Sequence, residues 1–260
     1  MKIIAGPCQH ESLEQSMKIA TECKRVCDMY GITYIFKASF DKGNRTHMYS
    51  ERGAGLNATL NAFKEIKASL GIKTLTDVHR EYQITVINIW NQTEGSVVDV
   101  LQIPAMLCRQ TDLIREACET DMIVNIKKGQ LLAPWDVAGI LSKTDGAKEV
   151  WITERGTSFG YNNLVVDFTG LKYMMENFDA EIVFDASHSS QKPSILGGSS
   201  GGDRSNIPTL AKAAAAIGVQ NLFLEVHDDP DNAPSDGPSM LHLKDFERLV
   251  HEIHYHTNPS

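Results

Sequence analysis

Three cationic side chains follow an apolar run that begins near residue 32. Residues 35–45 read "IFKASFDKGNR", so Lys37, Lys42 and Arg45 lie within nine residues at the end of the run. A lysine next to a hydrophobic core costs desolvation free energy unless an anion or another polar group meets it. The pattern therefore indicates either a solvated loop or a pocket that binds an anion.

Two later apolar runs also end in cations, Lys127 and Arg155. If these meet the first three, the five side chains would form a cationic pocket for a phosphate-bearing ligand, in which arginine can bind phosphate through two parallel hydrogen bonds. The alternative is a set of strand-end charges that pair with Asp41 and Glu154. The anion pocket is the favoured interpretation, because several separate runs contribute to it.

A second set of residues could bind a metal ion. One thiol, one imidazole and two carboxylates suit a divalent transition metal such as Fe, Mn, Co, Zn or Cd, and they are offered by Cys8, His188, Glu225 and Asp236. The four residues are far apart in the chain. Spacing alone therefore favours a plainer interpretation, in which they are a buried thiol, a hydrogen-bonded histidine and acidic loop residues.

Composition narrows the class of protein. The 260 residues carry a net charge of -8, whereas a general nucleic-acid binder is usually basic. Five cysteines at irregular spacing do not form a disulfide framework, which fits a reducing compartment. No apolar stretch approaches the roughly 18 residues of a membrane span, and the short run at 2–5 is not a secretory signal. We expect a cytoplasmic protein without nucleic-acid or membrane partners.

Short runs rich in valine and isoleucine alternate with segments of helical period. Nearly continuous hydrophobicity is typical of strands buried on both faces. The predicted strands span residues 2–5, 32–37, 72–76, 98–103, 122–127, 148–153, 181–185 and 221–225. The predicted helices span residues 12–30, 55–70, 80–95, 109–120, 134–143, 163–178, 204–217 and 243–256.

Eight strands alternating with eight helices predict an α/β fold, a single (β/α)8 TIM barrel that forms one domain over residues 1–260. An open, doubly wound sheet would need a glycine fingerprint after its first strand, and "AGPCQHES" is not one. In such a barrel the active site lies at the C-terminal ends of the strands. Polar or charged residues follow every predicted strand, so we expect both residue sets at one mouth. The glycine- and serine-rich segment 189–208 is predicted to be a lid over it.

Several long motifs resemble those of one enzyme family. They cover nearly the whole chain and read "AGPC", "FKASFDKGNR", "QIPAMLCRQTDL", "NIKKGQLLAPWD", "TERGTSFGYNNLVVD", "FDASHS" and "LEVHDDPDNAPSDGPS". The chain resembles the 3-deoxy-D-manno-octulosonate 8-phosphate (KDO8P) synthases. The resemblance implies a (β/α)8 barrel that forms a homotetramer in the cytoplasm. It also implies that the enzyme condenses phosphoenolpyruvate with D-arabinose 5-phosphate for lipopolysaccharide biosynthesis.

The resemblance also implies roles for individual residues. A cysteine at position 8 is typical of the metal-requiring branch of that family, and the ligands of one divalent ion would be Cys8, His188, Glu225 and Asp236. Phosphoenolpyruvate would bind to Lys37, Ser39, Lys42, Gln102, Lys127 and Arg155. The aldose phosphate would bind to Asn44, Arg45, Thr46 and Asp77, and to Arg109 from a neighbouring subunit. The residues expected to take part in the chemistry are Lys42, Asn44, Lys127, His188 and Asp236.

Two other functions stay open. The heptulosonate-phosphate synthases of aromatic biosynthesis share the barrel, phosphoenolpyruvate and the metal but use erythrose 4-phosphate, and they carry a "KPRTS"-type segment where this chain has "KGNRT". A non-catalytic sugar-phosphate-binding barrel would keep the cations and could lose the metal ligands. Within the resemblance, Thr46 and His47 replace two serines, and the segment 88–97 is longer than usual and has no assigned role.

Overall fold

Eight parallel strands close into a barrel in the computed structural model, which describes residues 1–43, 52–195 and 200–257. Residues 256 and 257 are described by their backbone alone. The strands are β1 (Lys2–Gly6), β2 (Thr33–Lys37), β3 (Lys73–Asp77), β4 (Val100–Ile103), β5 (Ile123–Lys127), β6 (Val150–Glu154), β7 (Glu181–Asp185) and β8 (Asn221–His227). Each strand pairs with the next, and β8 pairs with β1 from Asn221 opposite Lys2 to Glu225 opposite Gly6. The predicted (β/α)8 barrel is confirmed.

A helix follows each strand. The helices are α1 (Leu13–Met29), α2 (Leu56–Leu70), α3 (Glu81–Glu94), α4 (Thr111–Cys118), α5 (Val137–Leu141), α6 (Phe168–Asn177), α7 (Ile207–Ala216) and α8 (Leu243–Thr257). Every strand end lies within two residues of its predicted position. None of the described helices is both long and apolar enough to span a lipid bilayer.

The helical patterns of α5 and α6 overstate the lengths of these helices. Pro134 begins a 3-10 turn ahead of α5, so only five residues of the predicted segment are α-helical. The Asp167 carboxylate accepts the Gly170 N–H at 2.9 Å and caps α6, which therefore begins at Phe168. Part of the remaining predicted segment forms a small antiparallel hairpin between Thr157–Ser158 and Leu164–Val165.

The segment 88–97 completes α3 and makes the turn into β4. Asn91 Oδ1 accepts the backbone N–H groups of Val97 and Val98 at 2.8 and 2.9 Å, and Asn91 Nδ2 donates to the Val98 carbonyl at 2.7 Å. One side-chain amide thus provides the hydrogen bonds that a ladder would otherwise supply. Residues 98 and 99, predicted as strand, belong to this turn, and β4 begins at Val100.

The interior of the barrel contains a closed apolar layer with one residue from each strand. Its members are Ile4, Ile35, Leu75, Val100, Ile123, Trp151, Val183 and Phe223. The opposite faces of the strands pack against the helices in a second, larger core, where for example the Phe36 and Phe63 rings lie 5.6 Å apart. Because both faces of each strand are buried, the strands have nearly continuous hydrophobic sequences.

Candidate active site

A second layer, here called the polar layer, lies two residues beyond the apolar layer on every strand, and its side chain is polar on every strand except β1, where the residue is Gly6. Side chains two residues apart on a strand share a face, so this layer also faces the inside of the barrel. Its positions are Gly6, Lys37, Asp77, Gln102, Asn125, Thr153, Asp185 and Glu225. All eight are buried. The change from apolar to polar places chemical groups at the C-terminal end of the barrel, where this fold carries its active sites.

Lys37 and Glu225 form an ion pair inside this layer. Lys37 Nζ donates to Glu225 Oε1 at 2.7 Å and to the Cys8 carbonyl at 2.8 Å, and the two side chains are 1% and 0% exposed. Burial by itself would raise the pKa of Glu225, but Lys37 and His188 outweigh it and lower the pKa to about 2. Glu225 is therefore an anion in spite of its complete burial.

Asp185 orients two of the predicted site residues. Its Oδ2 accepts from Lys127 Nζ at 2.8 Å and from His188 Nδ1 at 2.7 Å. Burial would raise the pKa of Asp185, but His188 and Lys127 hold it far below its usual range. Because Nδ1 of His188 faces this carboxylate, Nε2 is the nitrogen left to bind a cation or carry a proton. That Nε2 lies 3.5 Å from Glu225 Oε1.

Three of the four predicted metal ligands form a compact group. The ligand atoms of Cys8, Glu225 and Asp236 all lie within 4.8 Å of one another. Cys8 Sγ donates to Asp236 Oδ2 at 3.0 Å and accepts a hydrogen bond from Ser235 Oγ at 3.1 Å. His188 is not a member of this compact group, although it approaches Glu225.

These residues fit a divalent metal ion. Burial raises the pKa of the Cys8 thiol, and Asp236 and Glu225 raise it further, so a bound cation would be needed to favour the thiolate. Glu225 Oε2 is buried and has no hydrogen-bond partner within the described residues. A buried polar atom without a partner is costly, and coordination would satisfy it. The combination of sulfur, oxygen and nitrogen donors suits a transition metal better than Mg²⁺ or Ca²⁺.

A chain of buried side-chain hydrogen bonds crosses four strands. Thr153 donates to Asn125 at 2.7 Å, Asn125 to Gln102 at 2.8 Å, and Gln102 to Asp77 at 2.7 Å. Ser39 donates to the other oxygen of Asp77. This directional chain fixes the amide orientation of Gln102, which is one of the predicted phosphoenolpyruvate ligands.

Lys42 contacts the Ser39 end of this hydrogen-bond chain. Its Nζ donates to Ser39 Oγ at 3.2 Å. Burial would lower the pKa of Lys42, but the negative charges of the Glu225 and Asp77 carboxylates oppose this effect, and the pKa is raised. Lys42 is therefore a cation that contacts the Asp77 network through Ser39.

Arg155 presents a donor that has no protein partner. Its Nη2 donates to Gln191 Oε1 at 2.6 Å, whereas its buried Nη1 has no hydrogen-bond partner in the part of the chain that the structure describes. Burial lowers the pKa of Arg155, and Asp185 and Asp236 oppose that effect. A buried guanidinium nitrogen in this state is suited to bind an anion.

Within the described residues, the two strand-end acids form ion pairs with cations other than the five predicted ones. Asp41 pairs with Arg52 at 2.7 Å, and Glu154 Oε2 lies 3.3 Å from Lys128 Nζ. Three of the five predicted anion-binding cations, Lys37, Lys127 and Arg155, lie with the predicted metal ligands at one end of the barrel. The members of this group that hydrogen bonds and ion pairs connect are Cys8, Lys37, Lys127, Arg155, His188, Gln191, Glu225 and Asp236.

Other predicted residues lie outside this contact network. Arg109 is exposed just ahead of α4, and its carbonyl accepts from Lys143 Nζ at 2.8 Å. Asn44, Arg45, Thr46 and His47 lie outside the described residues. The predicted lid, residues 189–208, is described except for 196–199, and it contains a short hairpin between Gln191–Lys192 and Gly201–Gly202.

Five residues that make side-chain hydrogen bonds in the site were not among the predicted site residues: Asn125, Thr153, Asp185, Gln191 and Ser235. Asn125, Thr153 and Asp185 belong to the polar layer, so counting two residues on from the apolar layer would have found them. Gln191 and Ser235 lie in the loops after β7 and β8. No periodic signal marks them, because loop residues are placed by tertiary contacts.

Several proteins with similar sequences share one name. Three of them are called 2-dehydro-3-deoxyphosphooctonate aldolase, a name for the KDO8P synthase activity. The protein from Rhodopseudomonas palustris (strain BisB5) is 49% identical over 255 residues, covering 97% of this chain and 86% of the relative. The protein from Agrobacterium fabrum is 48% identical, covering 96% and 87%. The protein from Chelativorans sp. (strain BNC1) is 48% identical, covering 97% and 90%.

The family comparison covers almost the same span. A family model described as the DAHP synthetase I family matches residues 1–258. Together with the relatives, it confirms the resemblance that the motifs indicated. The chain belongs to the DAHP synthetase I family.

Proposed function

We propose that this protein is a metal-dependent KDO8P synthase. It condenses phosphoenolpyruvate with D-arabinose 5-phosphate and water, and releases 3-deoxy-D-manno-octulosonate 8-phosphate and inorganic phosphate for lipopolysaccharide biosynthesis. The observation that carries the proposal is the meeting of buried cations with the Cys8, Glu225 and Asp236 group at the C-terminal end of the barrel. The shared name of relatives that are 48–49% identical supports the choice of substrates.

The charges of the site support a reaction between two phosphate esters. Among the described residues, the site contains four cations and four carboxylates: Lys37, Lys42, Lys127 and Arg155, and Asp77, Asp185, Glu225 and Asp236. These protein charges largely cancel. A bound dication would therefore add the positive charge that two mutually repelling phosphorylated substrates need.

The proposed chemistry follows from the resemblance. C3 of phosphoenolpyruvate attacks the aldehyde carbon, water adds at C2, and phosphate leaves by C–O cleavage while the aldehyde oxygen gains a proton. Lys37, Lys127 and Arg155 bind the phosphate and carboxylate of phosphoenolpyruvate and stabilise the charge that develops. His188 and Asp236 are the candidates for moving protons, and Asp185 holds the His188 ring in one orientation.

In this proposal a divalent metal ion takes part in the reaction. A divalent ion held by Cys8, His188, Glu225 and Asp236 would supply Lewis acidity and would position the aldehyde and the water. The aldose phosphate would bind to Asp77 and, outside the described residues, to Asn44, Arg45 and Thr46.

In this proposal the protein works as a cytoplasmic homotetramer, with Arg109 reaching the aldose phosphate of a neighbouring subunit. Large apolar side chains are exposed in the loops that follow β4, β5 and β6, namely Met106, Leu131, Trp135, Phe159 and Tyr161. Exposed apolar groups in one set of loops are typical of an interaction surface. Arg109 lies in the first of these loops.

Phosphate release tests the proposal. Purified protein is incubated with phosphoenolpyruvate and D-arabinose 5-phosphate, with and without a metal chelator, and phosphate and the eight-carbon product are measured. We expect turnover that the chelator abolishes and that an added divalent metal restores. Undiminished turnover in chelated protein would refute the metal, and no turnover with any metal would refute the reaction and revive a non-catalytic barrel.

A second candidate follows from the description of the family. The family description names DAHP synthetase, and the rival reaction considered for this sequence is the heptulosonate-phosphate synthesis that uses erythrose 4-phosphate. Measuring kcat/KM for erythrose 4-phosphate beside that for D-arabinose 5-phosphate separates the two. We expect the five-carbon sugar phosphate to be preferred, and a preference for erythrose 4-phosphate would replace the proposed function with the rival.

A further inference from the structure

Gln191 links the anion-binding side of the site to the metal-binding side. It is buried at the start of the loop after β7. Its Oε1 accepts from Arg155 Nη2 at 2.6 Å, and its Nε2 donates to Asp236 Oδ1 at 2.9 Å. A guanidinium only donates and a carboxylate only accepts, so the two partners fix the orientation of the amide.

The backbone around Gln191 is held in place from two sides. Gln191 pairs with Gly202 in the short hairpin, and a Cβ atom on Gly202 would lie 3.0 Å from the Ser239 Cβ. The hairpin therefore packs directly against the loop after β8. Asp236 of that loop has a φ of 54°, a left-handed conformation that is unfavourable for a residue with a side chain. Gln191 therefore contacts the side chain of Asp236, a residue whose own backbone conformation is constrained.

We propose that Gln191 is a positioning residue that keeps Arg155 and Asp236 from pairing with each other. This inference rests on the proposed function. Gln191 engages Arg155 Nη2 and Asp236 Oδ1, which leaves Arg155 Nη1 for an anionic substrate and Asp236 Oδ2 beside Cys8 Sγ at 3.0 Å for a metal.

Arg155 and Asp236 need a residue between them because opposite charges attract each other strongly in a buried site. A guanidinium and a carboxylate separated by one amide would form a direct, charge-assisted ion pair if the amide were removed. Such a pair would occupy the groups that the substrate and the metal require. A neutral side chain with one donor and one acceptor satisfies both charges without letting them neutralise each other.

Calorimetric titration of metal-free protein with phosphoenolpyruvate is the first test. Gln191→Met keeps the approximate volume of the side chain but removes both hydrogen bonds. Because hydrogen bonds to charged groups are the strong ones, we expect Gln191→Met to weaken binding about tenfold. The matched control is Gln220→Met, an exposed glutamine ahead of β8 at the opposite end of the barrel, which should bind as the unaltered protein does.

A rescue variant separates the positioning role from a structural role. In Gln191→Met combined with Asp236→Asn, the carboxylate that would capture Arg155 is gone. We expect this double variant to bind phosphoenolpyruvate within about twofold of Asp236→Asn alone, because the loss came from an ion pair that can no longer form. A loss caused by poor packing would remain in the double variant and would overturn the proposal.

Binding of Co²⁺ tests the contact between Gln191 and Asp236 on the metal-binding side of the site. Titration with Co²⁺ alone, followed by the thiolate-to-cobalt absorption of Cys8, measures metal affinity without substrate or turnover. We expect Gln191→Met to weaken Co²⁺ binding about tenfold, as the loss of a partner that orients a ligand does, and Gln220→Met to leave it unchanged. If Gln191→Met binds both Co²⁺ and phosphoenolpyruvate with affinities within twofold of those of the unaltered protein, the positioning role alone is overturned. Failure of the unaltered protein to bind phosphoenolpyruvate would overturn the proposed function as well.

Discussion

The apolar layer and the polar layer of the barrel come from the same eight strands, two residues apart, yet they depend on different forces. The members of the apolar layer have only to exclude water and fit one another, and their contribution scales with buried area. The members of the polar layer each need a specific partner, because a buried charge or amide without one is strongly destabilising. One short strand can therefore contribute to stability at one position and to chemistry at the next position on the same face.

Trp151 and Lys37 illustrate the difference. Trp151 is almost completely buried in the apolar layer, and its indole nitrogen donates to Glu149 at 2.6 Å. Lys37 is equally buried in the polar layer, but it is held by Glu225 and the Cys8 carbonyl. Replacing either residue should therefore destabilise the protein, while only one replacement should remove a group that binds substrate.

The largest expected effect belongs to Lys37→Met. We expect kcat/KM to fall by about 10³-fold, because a cation aimed at developing charge is lost. The free energy of unfolding should fall by about 3–5 kcal/mol, because Glu225 is left buried without its partner. Steady-state kinetics and urea unfolding measure the two losses. Adding Glu225→Gln should recover much of the stability but none of the activity, and a single variant of normal stability would contradict the argument.

Trp151→Ala tests the apolar layer in the same way. We expect the free energy of unfolding to fall by about 3–5 kcal/mol from lost burial and the cavity that remains. The folded fraction should keep kcat within a few-fold, because Trp151 lies two residues below the polar layer. Urea unfolding beside Ile89→Ala, an exposed position on α3, supplies the matched control. A large loss of kcat with little loss of stability would show that the two layers are not separable.

Asn125→Ala breaks the hydrogen-bond chain in its middle. We expect a loss of about 1–3 kcal/mol in unfolding free energy, because Gln102 and Thr153 are left with unpaired groups. The KM for phosphoenolpyruvate should rise, because Gln102 no longer has a fixed orientation. Thr153→Val, which removes only the terminal donor, should cost about 0.5–1.5 kcal/mol. Equal effects of the two variants would argue against a directional chain.

The smallest effect concerns a proton on Cys8. The pKa of this thiol is raised by burial and by Asp236 and Glu225, so the thiol is protonated at neutral pH in metal-free protein. Metal binding should therefore release about one proton from Cys8, and affinity should rise with pH as long as the pH lies below that pKa. Calorimetry in two buffers of different ionisation enthalpy counts the protons. Cys8→Asn should release about one fewer, and an unchanged count would rule out thiolate ligation.

The barrel and the residue types at its C-terminal end could be predicted from residue patterns along the chain. The ends of the apolar runs can be located from the sequence, and the candidate site residues Lys37, Asp77 and Glu225 were singled out because they lie at those ends. Helix ends were predicted less well, because caps and turns such as those at Pro134 and Asp167 compete with hydrophobic periodicity.

Which of these groups contact one another depends on the folded chain. Lys37 and Glu225 are 188 residues apart, and Cys8 and Asp236 are 228 residues apart. Their contacts depend on the closure of β8 onto β1 and on the packing of the final loops. Gln191 owes its place between Arg155 and Asp236 to the same packing. Such contacts arise from the register of distant segments, which the residues on either side of a position do not encode.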